Sequence, residues 1–307
     1  MAHTVRVFQV DAFTSRIFSG NPAGVVLDAD DLSAEQMQAI ARELNNGDTA
    51  FVLRPDGDDH DLRVRFFTPR KEAAFVGHAT VAVHAVRASL QLPVCSRQKQ
   101  LSGIVTVDTV DAGDTTRVVI HQTPPPIQHT LDGKELDEVL AALALTRAAL
   151  DARCPVTVIG DSSKRVLLPL QRGAALADAQ PDFARLGALS GQLGVPGYFL
   201  FSLQPSVTDV YTEARMFCPA LGIAEDPVSG NAHAMMGTLL CHHELLGLTG
   251  DTNADASDIV EFTGAQGHHM GRPGRVGVAL NLLQRRLQSV SIIGEAAIVF
   301  SAALEFE

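Results

Sequence analysis

Apolar and polar positions alternate from the start of the chain, and Val5-Arg6-Val7-Phe8 opens a strand carried through residues 5–13. Ser19-Gly20-Asn21-Pro22 is a turn signal, followed by a short strand at 24–27. At Ser33 the period changes. Met37, Ile40, Ala41 and Leu44 line one face of a helix, and Ser33 with Gln36 makes a capping box. Gly47, in Asn45-Asn46-Gly47, suits the left-handed residue that ends a helix. Strands follow at 50–53 and 62–68 around an acidic hairpin loop at 55–61. A helix opens at Gly77-His78 and runs to about 88, with strands after it at 104–107 and 117–121.

Thr123-Pro124-Pro125-Pro126 reads as a linker, because three prolines cannot continue a ladder. Beyond it the pattern gives a helix at 134–145, strands at 156–159 and 165–168, and a helix from Pro181, a good first helical residue, to 193. Strands at 198–203 and 210–217 lead to a long helix at 232–246. A strand at 259–263, a glycine-rich loop at 264–274, and strands at 276–282, 290–293 and 297–302 complete the chain.

One phrase occurs twice. Arg65-Phe66-Phe67-Thr68-Pro69 matches Arg215-Met216-Phe217-Cys218-Pro219, and in each copy a glycine (Gly77, Gly230) then opens an apolar helix. Both helices are apolar nearly all round, which marks them as buried. The expectation is an α+β protein of two pseudo-symmetric domains, each a mostly antiparallel β-barrel around one central hydrophobic helix. Residues 1–122 with about 290–307 form one domain and 123–289 the other.

Composition narrows the function. The chain has 307 residues, a length that suits two domains. It carries 24 basic against 35 acidic residues, a net charge of −11, which disfavours nucleic acid and anionic membrane surfaces as partners. No apolar run approaches the roughly 18 residues of a spanning helix. Four scattered cysteines without a C-x-x-C read as reduced thiols of a cytoplasmic protein. His242-His243-Glu244 and His268-His269 do not converge as a metal site, because neighbouring residues on a helix point apart. The expectation is therefore no metal.

Buried helix starts present free N–H groups and a favourable dipole to an anion. Beside the first start lie Gly77, His78 and Thr80; beside the second lie Asp226, Ser229, Gly230 and Asn231. On the residues alone, Ser229 and Asn231 are equally caps and His78 a satisfied polar residue. Arg272-Pro273 either brings a guanidinium to a carboxylate or lies on the surface.

Asn21-Pro22, Asp48-Thr49-Ala50-Phe51-Val52, Phe67-Thr68-Pro69 with Gly77-His78-Ala79-Thr80, Arg215-Met216-Phe217, Glu225-Asp226-Pro227 with Ser229-Gly230-Asn231-Ala232, and Gln266-Gly267 with Gly271-Arg272-Pro273 resemble the PhzF-like isomerases of the diaminopimelate epimerase superfamily. The resemblance spans the chain with its motifs in family order. It implies an active site in an interdomain cleft, no cofactor, a small carboxylate-bearing substrate and a homodimer. It places the acid/base role on Asp48, assisted by His78 and Asp226, with Asn21, Gly77, Thr80, Ser229, Gly230, Asn231 and Arg272 binding substrate. Two departures stand out. Asp48 takes the place of a glutamate, and Val76 and Ser229 stand where the related racemases carry two facing cysteines. A cofactor-free isomerase is the leading expectation. A racemase using Asp48 and Asp226 as opposed bases, and a binding protein without turnover, are the alternatives.

Overall fold

The structure, a computed structural model, describes residues 3–113, 115–161, 163–247 and 257–306. The chain divides into two compact units, Met1–Gln122 with Ile293–Glu307 and Thr123–Ile292. The first unit runs β1 (His3–Ala12), β2 (Asn21–Leu27), α1 (Ala34–Leu44), β3 (Asp48–Leu53), β4 (Leu62–Phe67), β5 (Glu72–Ala73) and α2 (Gly77–Ser89). It continues with β6 (Arg97–Gln100), β7 (Gly103–Asp111) and β8 (Thr116–Gln122). The second runs β9 (Ile127–Thr130), α3 (Gly133–Ala142), β10 (Thr157–Ile159), β11 (Arg165–Leu170), α4 (Ala174–Asp178) and α5 (Phe183–Leu193). After these come β12 (Tyr198–Ser202), β13 (Thr212–Phe217), α6 (Gly230–His242), β14 (Ser257–Gln266), β15 (Gly274–Leu283) and β16 (Arg286–Gly294). The last strand, β17 (Ala296–Phe306), returns to pair antiparallel with β1.

The strands form one mostly antiparallel sheet, and those of the two units share one order of pairings. In the first unit β1–β2 is antiparallel, β2–β3 parallel, β3–β4 antiparallel, β4–β6 parallel and β6–β7 antiparallel. In the second the same alternation runs through β10–β11, β11–β12, β12–β13, β13–β14 and β14–β15.

The period-2 alternation of the strands feeds two cores per unit. Val25, Leu27, Ala50 and Val52 point to the side of α2, whose Ala79, Ala82, Val83 and Val86 join them. Val26, Phe51 and Leu53 point the other way, to Met37 and Ala41 of α1. In the second unit Leu167, Phe199, Phe201 and Met216 face α6, while Val166, Leu168, Tyr198 and Leu200 face the side of α3 and α5. The helix α2 packs against β1, β2, β3, β7, β8 and β17 of its own unit. The repeated arginines are structural in both copies. Arg65 grips Glu72 with two bonds of 2.8 Å and lies over the Phe67 ring; Arg215 grips Glu225 with two of 2.9 Å and lies over Phe217.

Several local expectations are corrected. Asn45, not Gly47, is the left-handed residue after α1, with φ 50°, and its N–H closes on Ala41 O. Asp182 caps α5 through the Arg185 N–H, so Pro181 precedes the helix instead of starting it. α6 begins at Gly230 and ends at His242. The segment 264–266 belongs to β14, because its backbone continues to pair with β15. Strands β6 and β9 and the short α4 were not foreseen. The capping box of Ser33 and Gln36 is present.

Candidate active site

Asp48 is the first residue of β3, on the same face as Ala50 and Val52, and so points to the side of α2. His78 is the second residue of α2. Their side chains are 13 % and 11 % exposed, and His78 Nε2 lies 3.8 Å from Asp48 Oδ2. Burial pushes the His78 imidazole down to about 4, so it is neutral at neutral pH. Its Nε2 is buried with no hydrogen-bond partner among the described residues. Asn21 opens β2, which runs parallel to β3 with Ala23 opposite Asp48, and is 4 % exposed.

The start of α2 is open chemically. Its N-cap, Val76, has no side-chain oxygen to accept from the first-turn N–H groups, and, its chain neighbours and own helix apart, a Cβ on Gly77 would meet nothing nearer than the Phe75 ring at 4.0 Å. Thr80 does not share that opening. It is fully buried, its hydroxyl donates to Val76 O at 2.9 Å, and it accepts from Gln98 Nε2 at 3.3 Å. Its geometry therefore corrects the expectation of a substrate contact: Thr80 braces the helix start from inside.

In the second unit the Asp226–Ser229 turn is held by a residue noticed in the sequence only as part of a motif. Gln266, 1 % exposed at the end of β14, accepts the Ser229 N–H at 3.1 Å and donates to Asp226 O at 2.7 Å. Ser229 caps α6 through the Ala232 N–H, and its carbonyl faces His233 Nδ1 at 2.8 Å. Since a carbonyl only accepts, Nδ1 carries the proton. His233 is likewise held neutral by burial, pushed down to about 4. Gly230 and Asn231 form the first turn of α6; Arg272 lies just before β15, its N–H donating to Gly267 O.

The repeat makes the two units comparable residue by residue. Phe67 corresponds to Phe217. Thr49 lies opposite Phe67, and Tyr198 opposite Phe217. The position matching Asp48 is therefore the residue before Tyr198, which is Gly197. Only the first unit carries a carboxylate there.

Residues 10–302 match the family model PhzC-PhzF, described as phenazine biosynthesis-like protein. The chain belongs to this family. Among curated PhzF-type relatives, the "Uncharacterized isomerase YddE" of Escherichia coli K12 is 39% identical over 304 residues, covering 98% of this chain and 99% of its own. The trans-2,3-dihydro-3-hydroxyanthranilate isomerase of Pseudomonas aeruginosa is 29% identical, covering 95% and 96%. A PhzF-family protein of Bacillus anthracis, solved by crystallography, superposes with a TM-score of 0.84 at 27% identity, covering 98% and 99%. A hydroxyproline epimerase from Agrobacterium vitis shares the fold alone, with a TM-score of 0.61 at 10% identity. This PhzF-family chain is an isomerase with an α+β fold. Among its described residues, no helix is long and apolar enough to cross a membrane.

Proposed function

We propose that this PhzF-family isomerase shifts a proton between carbons of a small carboxylate-bearing metabolite, with Asp48 as acid and base. One observation carries the reading: Asp48 and a neutral His78 lie 3.8 Å apart at a helix start whose N-cap side chain supplies no acceptor. Asp48 takes the proton from carbon as a carboxylate and returns it as a carboxylic acid. The neutral imidazole of His78 holds or relays it at Nε2. The N–H groups of Gly77 and His78 stabilise negative charge that develops on the substrate as the C–H bond breaks. Asn21, Asp226, Ser229, Gly230, Asn231 and Arg272 bind substrate, and Thr80 positions the first helix start. No cofactor enters this scheme.

Gly197 at the position matching Asp48 leaves the racemase alternative to Asp226 as the opposed base, and exchange without net isomerisation would favour it. The test is wash-in of solvent deuterium, with trans-2,3-dihydro-3-hydroxyanthranilate as first probe and other small cyclic carboxylates after it. Asp48→Asn is expected to lower exchange by about 10²- to 10⁴-fold, the range of a lost general base. Exchange at the wild-type rate in that variant removes Asp48 from the mechanism.

A further inference from the structure

A line of buried hydrogen bonds ends at the start of α2. Val76 O, the N-cap carbonyl, accepts twice from Thr80: from its N–H at 3.0 Å and from its hydroxyl at 2.9 Å. That hydroxyl accepts from Gln98 Nε2 at 3.3 Å, so its one proton is committed to Val76 O. Gln98 Oε1 faces His84 Nε2 at 3.1 Å. A carbonyl oxygen only accepts, so His84 carries its ring proton on Nε2. Gln98 Nε2 also donates to Gln100 Oε1 at 2.9 Å, and Gln100 donates to Ser102 Oγ at 3.0 Å, which orients the amide the same way. Thr80 and Gln98 are fully buried, and His84 is 2 % exposed. The donors thus run in one direction, from His84 to Gln98 to Thr80 to Val76.

The second unit closes the same fold without this line. Leu62 and Thr212 match in the repeat, each five residues before Phe67 or Phe217. Their parallel partners are Gln98 and Gly264. Counted from Gly77 and Gly230, Thr80 matches His233 and His84 matches Gly237. The N-cap carbonyl is again held twice by the residue four on: Ser229 O accepts the His233 N–H at 3.2 Å and lies 2.8 Å from Nδ1. There the line stops. His233 Nε2 is buried with no hydrogen-bond partner among the described residues, and a Cβ on Gly264 would stand 2.6 Å from it, which leaves no room for an amide. Holding the carbonyl therefore takes one side chain, and the added amide and imidazole occur in the unit that carries Asp48. Stability does not require them, since apolar groups of the same shape can replace a buried hydrogen-bonded pair with little loss.

We infer that Gln98 and His84 are positioning residues that polarise the Val76–Gly77 peptide and so strengthen the Gly77 N–H as a donor to negative charge developing on the substrate. Hydrogen bonds in series polarise one another in a low-dielectric interior. Loading the carbonyl oxygen raises the double-bond character of the C–N bond and the positive charge on the N–H. In a trans peptide that N–H points the opposite way from the carbonyl, away from Thr80. The polarised donor stands on the geometry of the first unit; its effect on turnover rests on the isomerase reading.

Nuclear magnetic resonance on the whole chain tests it. In the wild type, the ¹⁵N shifts of the His84 ring should place the proton on Nε2. A proton on Nδ1 reverses the line and overturns the proposal, whether or not any variant folds. Gln98→Met removes the donor to Thr80 at similar length. It should move the Gly77 amide proton upfield and leave the first-turn amides of α6 in place. Deuterium wash-in should show kcat lowered about 2- to 10-fold at unchanged KM, the worth of one hydrogen bond made in the transition state. A lowered urea midpoint in Gln98→Met with the wild-type Gly77 shift means lost packing alone and overturns the proposal. A moved Gly77 shift with wild-type exchange keeps the polarised donor and removes Gly77 from the isomerase scheme. Lost exchange in Asp48→Asn with an unmoved Gly77 shift in Gln98→Met does the opposite.

Discussion

His78 owes its neutral ring to where it sits. Burial lowers the His78 imidazole from 6.5 to about 4, so at pH 5.5 it stays neutral while an ordinary surface histidine is mostly charged. The ¹⁵N shifts of its ring should titrate near 4; a midpoint near 6.5 would show that the imidazole is hydrated and free to protonate. Gln266 is the second residue with a sharp expectation. Gln266→Leu removes one donor and one acceptor from the Asp226–Ser229 turn. It should cost about 1–3 kcal/mol by leaving a buried N–H and a carbonyl unmatched. Raised KM from a disordered second helix start would accompany it, and stability and KM unchanged together would show that the turn holds itself. Asp48 and His78 were singled out in the sequence through the family resemblance, since on the residues alone His78 also read as a satisfied polar residue. Gln266 was visible only as a motif letter. Its role depends on which backbone groups face it, and that is set by long-range pairing. Thr80 was misread for the same reason: its neighbour Gln98 lies on β6, whose sequence Arg97-Gln98-Lys99-Gln100 has no apolar alternation.

Among the elements, the two central helices differ in how they fit their sheets. In α6, Gly237 leaves room for Val278 and Leu280 of β15; a Cβ would stand 2.9 Å from Val278 Cγ1 and 3.3 Å from Leu280 Cδ2. In α2 the matching position is His84, which bonds Gln98 Oε1 at 3.1 Å. Gly237→Ala, normally favourable in a helix, should here destabilise by about 1–3 kcal/mol through overpacking, measured by urea denaturation. A stabilised variant would mean that β15 yields more readily than its packing shows. The apolar central helices and the longer strands were readable from periodicity. The short strands β6 and β9 were not, being polar and held by neighbours distant in sequence. Helix ends were read well where a local cap decides them, as at Ser33, and less well where Asn45 competes with Gly47 for the left-handed position.

At the scale of the molecule, three buried histidines couple the fold to pH. His78 and His84 in the first unit and His233 in the second are each pushed down to about 4 by burial. The unfolded chain binds these protons near 6.5, so between about 6.5 and 4 it holds more protons than the folded one. Stability is then greatest above 6.5 and falls as pH drops toward 4, by about 1.4 kcal/mol per pH unit for each histidine. Urea midpoints at pH 7 and pH 5 should show this fall, and His84→Gln should make it shallower; an equal slope in that variant would mean that His84 titrates normally in the fold. Both the internal repeat and the polyproline segment at the boundary of the units were visible in the sequence. The asymmetry between the halves was not, because Gly197 aligns with Asp48 only through strand register. That asymmetry bears on stereochemistry. In the proposed one-base scheme, Asp48 takes hydrogen from and delivers it to one face of the planar intermediate. A substrate labelled at the migrating position should then carry part of its label into product on that face, where a pair of opposed bases would trade it for solvent and invert the centre.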